Sequence, residues 1–267
     1  MRKHLKLTMV LGALIALTAA AIASGAVTPN KPSTVQVGNL KLTFDGGFTP
    51  TALPKKTLAP ISLKASGKIA STDGTHVPAL TEAIVETDKN GAINVKGYPK
   101  CTSGKLQSQD SKHAKEACPN AIVGKGKVVA EVEFPESKPI EVPSELLVFN
   151  GGETGGVTTL YIHAYFEAPV TGAIVTTVKI KKVHHGRYGL ESIASIPKIA
   201  GGSGSVKSFS LTISKKFTYK GKKVSVLSAK CPDGKLQAHV DAKFKNYKTN
   251  ELTNASTEIL RTCTGKG

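Results

Sequence analysis

The sequence predicts an all-β fold of antiparallel, sandwich-like units, two of them related by internal duplication, with one short helix near residues 110–118. Three observations carry this expectation. Apolar and polar residues alternate with period two along most of the chain, the pattern of half-buried strands. Turn signals interrupt the alternation at short intervals: Asp45-Gly46-Gly47, Thr72-Asp73-Gly74, Lys89-Asn90-Gly91, Asn150-Gly151-Gly152 and Lys220-Gly221. Such pairs supply the positive φ that tight hairpins need. Finally, Lys100-Cys101-Thr102-Ser103-Gly104-Lys105-Leu106-Gln107 returns 130 residues later as Lys230-Cys231-Pro232-Asp233-Gly234-Lys235-Leu236-Gln237, with six of eight positions identical. A fixed internal offset suggests one unit built twice.

In chain order, residues 1–26 read as an export leader. Arg2, Lys3 and Lys6 precede an apolar run from Leu7 to Ala23, and Ala21-Ile22-Ala23 or Ser24-Gly25-Ala26 offers small residues for cleavage after 23 or 26. No later stretch is apolar enough for a transmembrane anchor. Apolar faces follow at Leu40, Leu42 and Phe44, and at Val128, Ala130, Val132 and Phe134. Between them Asp110 is placed to cap a short helix through Ala114 and Ala117. Pro135, Pro139 and Pro143 hold an extended stretch that divides the chain into β-domains at 27–137 and 138–267, the alternative being one large sandwich with strands shared across both halves. In the second half, Leu160, Ile162, Ala164 and Phe166 share a face, as do Phe209, Leu211 and Ile213. Leu236, Ala238, Val240, Ala242 and Phe244 oppose Gln237, His239, Asp241, Lys243 and Lys245. Gly151 to Gly156 reads as a hairpin loop and Gly201 to Ser205 as a flexible one.

Four cysteines remain after the leader, Cys101, Cys118, Cys231 and Cys263. They allow three connectivities. Pairing Cys101–Cys118 and Cys231–Cys263 closes short loops and respects the repeat. A four-cysteine zinc site would need close cysteine pairs, which the spacing does not provide. Disulfides also fit an exported chain.

Loss of the leader's three basic residues lowers the formal net charge from +17 to +14. Between Lys179 and Lys248, sixteen Lys/Arg face three acids. The basic patch expected there comprises Lys179, Lys181, Lys182, Arg187, Lys215, Lys216, Lys222, Lys223, Lys243 and Lys245. Such a surface attracts polyanions. Nearly all of it is lysine, a mobile point charge, whereas arginine is the residue that reads phosphates and guanine edges as a bidentate fork. The charge therefore points either to an anionic wall polymer or lipid surface as partner or to solubility alone, and not to a specific nucleic-acid partner.

Two segments carry a resemblance. Gly97-Tyr98-Pro99-Lys100-Cys101 leads to Ala117-Cys118-Pro119-Asn120-Ala121-Ile122-Val123-Gly124-Lys125-Gly126, and Ser228-Ala229-Lys230-Cys231-Pro232-Asp233-Gly234 is closed by Cys263. Together they resemble uncharacterised exported proteins of high-GC Gram-positive bacteria. The resemblance implies secretion and a disulfide-bearing β architecture; it brings no activity and no substrate.

Catalytic patterns are weak. Ser203 in Gly201-Gly202-Ser203-Gly204-Ser205 lacks the final glycine and the following helix of a nucleophile elbow. His184 and His185 are neighbours, and neighbours on a strand point to opposite faces, so no metal site or cofactor is expected. Glu131 and Glu133 share one polar strand face instead of facing each other across a cleft. The chain has no tryptophan, which disfavours a sugar-stacking platform. The surface stripe singled out is Tyr161, His163 and Tyr165, which either binds a ligand or packs beneath a neighbouring segment. The sequence thus points to a secreted or envelope-associated, non-catalytic binding or structural protein. Its alternative is a hydrolase whose site assembles only in three dimensions.

Overall fold

The computed structural model describes residues 27–135, 137–167 and 171–267. The leader expected at 1–26 lies outside the described residues. The strands are β1 (Ser33–Val37), β2 (Leu40–Thr49), β3 (Ala52–Pro54), β4 (Ala59–Pro60), β5 (Ser62–Ser71), β6 (Ala79–Asp88) and β7 (Gly91–Ile93). Helix α1 (Ser111–Ala117) precedes β8 (Ile122–Val132), β9 (Ile140–Thr154), β10 (Val157–Phe166), β11 (Gly172–His185), β12 (Tyr188–Ser195) and β13 (Gly204–Ile213). The chain ends through β14 (Lys216–Tyr219), β15 (Lys222–Ser225), β16 (Leu227–Ala229), β17 (Lys235–Lys245), β18 (Leu252–Thr262) and β19 (Thr264–Lys266). Among the described residues the fold is all-β, as the alternation predicts, with one short α-helix where Asp110 is placed to cap it.

Twelve strands form one antiparallel sheet in the order β1-β2-β5-β13-β8-β9-β10-β11-β12-β6-β17-β18. The sheet curls until its edges meet. At the seam, Ser33 Oγ lies 2.5 Å from Thr257 Oγ1, the Asn30 amide donates to Leu260 O at 3.0 Å, and the Asn30 side chain bonds both ends of Thr262. Polar side chains, not a backbone ladder, bring the two edges together. Such coverage blunts the exposed edges that would otherwise recruit another chain.

The barrel is flattened, and β13 approaches β6 across it. Its interior is apolar. Leu42 and Phe44 from β2 and Ile69 from β5 meet Val240, Ala242 and Phe244 from β17. Val123, Val148, Leu160, Val178 and Ile180 enclose Val95, Tyr98 and Val226, which plug the interior from the connections. Each such side chain contributes about 1.5–3 kcal/mol when fully removed from water. The inside is therefore filled by the chain itself.

The expected division at 137/138 falls inside a hairpin: Val132 faces Ile140 and β8 pairs with β9 throughout. Strands from the two sides interleave, for β13 lies between β5 and β8, and β6 between β12 and β17. The reason is edge pairing: each half has open edges that the other half covers. The repeated phrase is likewise not repeated in backbone form. Ser103–Lys105 is a 3₁₀ turn, whereas Lys235 opens β17. Six shared side chains did not override the different neighbours each copy meets.

Two hairpins show the turn chemistry working. Gly155 and Gly156 have φ of 58° and 77° between Thr154 and Val157, and Lys220 and Gly221 have 50° and 73° between Tyr219 and Lys222. Two successive positive φ values match the right-handed twist of the flanking strands.

Candidate functional site

Both disulfides are formed as the loop lengths suggest, with Cα separations of 5.7 Å for Cys101–Cys118 and 6.1 Å for Cys231–Cys263. The first pins α1 to the outside of the barrel. Asp110 caps the helix by accepting from the His113 amide at 2.8 Å. Leu106, Ala114 and both cysteines then bury against Leu147, Phe149 and Tyr161. This excursion covers much of the Tyr161–His163–Tyr165 stripe. His163 is fully buried, and its Nε2 donates to Gln109 O at 2.8 Å while Nδ1 has no partner. Burial holds its pKa below the usual histidine value. Tyr165 alone reaches a shallow groove, beside Glu145 and Lys112. The stripe is chiefly packing.

The basic patch expected from 179–248 is divided in space. Lys181 pairs with Glu191 and Lys243 with Glu82, each at 2.7 Å. Arg187 bridges Asp88 and Asp233 at the same distance, and these carboxylates hold its pKa above the ordinary value, Asp233 foremost. Lys245 lies over the Tyr247 ring, 5.3 Å from its centre. Lys179 and Lys182 are exposed on β11. Lys216, Lys222 and Lys223 belong to the β14–β15 hairpin, with Lys215 at its base.

A different lysine array emerges from pairing. On β2, β5, β13 and β8 the outward positions form rows. Lys64 faces Thr212, which faces Lys125; Ser66 faces Ser210, which faces Lys127; Lys68 stands between Thr43 and Ser208. Lys41 continues the array on β2. Lys41, Lys64, Lys68, Lys125 and Lys127 are all exposed, and among the described residues none of them is in an ion pair. Glu145, opposite Lys127, is engaged by Lys115 at 2.7 Å, and Asp45 by Arg261. A shallow groove crosses this wall between Lys125, Lys127, Ser210, Thr212, Ser214 and Lys215. The backbones can approach here because Gly126 has no Cβ; one would sit 1.9 Å from Ser210 O.

Beyond β9 and β10 around the ring is the reverse. Lys181, Glu191, Glu86, His239 and Glu258 stand in one transverse row across β11, β12, β6, β17 and β18. Glu258 accepts from Tyr188 and Gln237, and Tyr188, desolvated and beside that carboxylate, has its pKa pushed up to about 12. Sequence reasoning missed both walls. Their members lie far apart in the chain, and only strand order brings them together.

One arrangement superficially suits nucleophilic catalysis. His76 Nδ1 donates to Glu131 Oε1 at 2.8 Å, and its Nε2 lies 3.2 Å from Ser205 Oγ. Ser205, however, is 1% exposed and donates its hydroxyl hydrogen to Val77 O at 2.6 Å. A nucleophile must reach substrate and give its proton to the base; this serine does neither. Burial tends to raise the pKa of Glu131, but bonds from Lys207 and His76 outweigh it and hold the carboxyl below the usual range. The cluster ties β13 to β8 and to the segment before β6. Ser203, the serine of the glycine-rich segment, caps a 3₁₀ turn through Ala200 O.

The chain matches no protein-family model, and it has no similar curated protein.

Proposed function

We propose that this is an exported, non-catalytic barrel protein of the cell envelope that binds a linear anionic wall polymer through its lysine wall. The observation that carries the reading is the array of Lys41, Lys64, Lys68, Lys125 and Lys127, in no ion pair among the described residues and interspersed with Ser66, Ser208, Ser210 and Thr212. Alternate residues on a strand are about 6.6 Å apart and neighbouring strands about 4.8 Å. A regular lattice of cations and hydroxyl donors suits a repeating anion whose phosphates or carboxylates need charge but no fixed geometry. The two disulfides fit an oxidising compartment. The leader at 1–26 and the resemblance to exported proteins of high-GC Gram-positive bacteria agree with it. Among the described residues no helix is long and apolar enough to cross a membrane.

The test is titration of the mature chain with inorganic polyphosphate at low salt, compared with the K64Q/K68Q/K125Q/K127Q variant. Each surface lysine near an anionic surface supplies about 1 kcal/mol. Allowing half of that for screening, the variant should bind roughly thirtyfold more weakly, with stability within about 0.5 kcal/mol of the parent. Equal affinity of parent and variant would overturn the reading. Loss confined to vesicles of anionic lipid, with polyphosphate unbound, would replace the polymer with a membrane surface.

A further inference from the structure

The geometry points to a divalent-metal site formed by Glu86, His185 and Glu191 on the acidic wall, taking a first-row cation of the Zn²⁺ type. The three residues come from β6, β11 and β12, and their ligand atoms all lie within 4.8 Å of one another. Glu86 and Glu191 are direct cross-strand partners. Two like charges so placed repel, and a cation between them turns that repulsion into attraction.

The surroundings fit a ligand set better than a set of surface ion pairs. His185 sits beyond a register shift at the end of β11, which lets its Nδ1 reach Glu86 Oε1 at 2.5 Å. Glu191 Oε1 is closed to solvent and accepts no aligned hydrogen bond, although Lys181 Nζ is 2.7 Å away. The carboxylates are 17% and 15% exposed while His185 is 60% exposed, so the site has fixed walls and an open mouth. Lys181, half exposed, can turn to water when a cation takes its place.

Two carboxylate oxygens and one imidazole nitrogen suit Zn²⁺, with bonds of about 2.0–2.2 Å and a fourth position for water. Tetrahedral bonds of that length place ligand atoms about 3.3 Å apart, within reach of side-chain rotation from the observed spacing. Ca²⁺ needs six to eight oxygens and is a poorer match.

Equilibrium dialysis of the full mature chain against ZnCl₂ at neutral pH should give one Zn²⁺ per chain. E86Q, H185N and E191Q should each weaken binding tenfold or more, and H184N should leave it unchanged. Because E86Q and E191Q remove one of two facing negative charges, they should fold and melt no lower than the parent without zinc, yet lose the zinc-induced rise in Tm. The proposal fails if the parent shows no saturable uptake up to about 1 mM zinc. It fails equally if E86Q and E191Q keep the parent's zinc-induced rise, or if H184N removes it.

Discussion

The lysine wall and the acidic wall are built from the same kind of strand, on one sheet, separated by β9 and β10 on one side and by β1 on the other. Their charges are handled in opposite ways. On the acidic wall, Lys181 is matched with Glu191, Lys243 with Glu82, and Arg187 with both Asp88 and Asp233. On the lysine wall, cations alternate with Ser and Thr hydroxyls, and the nearby acids Glu145 and Asp45 answer to Lys115 and Arg261. The exposed pair of Lys243 and Glu82 contributes little stability, typically below about 1 kcal/mol, whereas Asp88 under Arg187 is buried. What differs is the field each wall projects. Paired charges cancel at short range, whereas unpaired lysines attract anions over a Debye length of about 8–10 Å. A count of basic residues along the chain cannot separate these cases: of the patch expected over 179–248, Lys181, Arg187 and Lys243 are paired, while Lys179, Lys182, Lys215, Lys216, Lys222 and Lys223 stay exposed.

The comparison can be broken most severely at Gly126. A Cβ there would collide with the Ser210 carbonyl, so Gly126→Val should force β8 from β13, lower stability by about 3 kcal/mol, and disperse the lysine rows. Urea denaturation measures the first effect and polyphosphate titration the second. A variant that folds with parental stability would show that the two backbones have room to separate.

Next in size is the disulfide beside the lysine wall. Replacing Cys101 and Cys118 with alanine removes a 17-residue cross-link, worth roughly 3 kcal/mol by chain entropy. It should also loosen the cover over Leu147, Phe149 and His163 while sparing the acidic wall. Hydrogen exchange of β9 and β10, compared with β6 and β17, would reveal that asymmetry.

The smallest effect is the response to acid. Burial depresses the pKa of His163, so the unfolded chain binds a proton before the folded one does. Its stabilising contribution is complete above the unfolded value of about 6.5 and is lost as pH falls through the lower folded value. Glu131 is also depressed, and its contribution is complete above about 4.5 and is lost as pH falls through its lower folded value. Stability curves at stepped pH should therefore decline in two stages, and H163Q should erase the first alone.

Much of this fold was legible in the sequence. Alternation at Leu160 to Phe166 and Leu236 to Phe244 gave the strands and their inward faces, and Asp110 gave the helix cap. Loop length gave the disulfides. Strand order was not legible, because pairing of β13 with β5 and β8 joins residues more than 70 apart through contacts that any apolar face could make. The repeated phrase misled for a related reason. Lys100–Gln107 and Lys230–Gln237 share side chains but meet different strands, and tertiary contacts decide the backbone. The candidate sites inherit that loss: Lys64 and Lys125, or Glu86 and Glu191, become neighbours only once the order is known.

Lysine footprinting tests the central claim most directly. The chain from residue 27 onward is acetylated with a limiting amine-reactive reagent, with and without polyphosphate, and each lysine is followed by mass spectrometry. Protection should concentrate at Lys64, Lys68, Lys125 and Lys127, leave Lys181 and Lys243 unchanged, and fade as salt rises. Protection spread evenly over all lysines, or strongest at Lys181 and Lys243, would contradict a wall built to hold an anionic polymer.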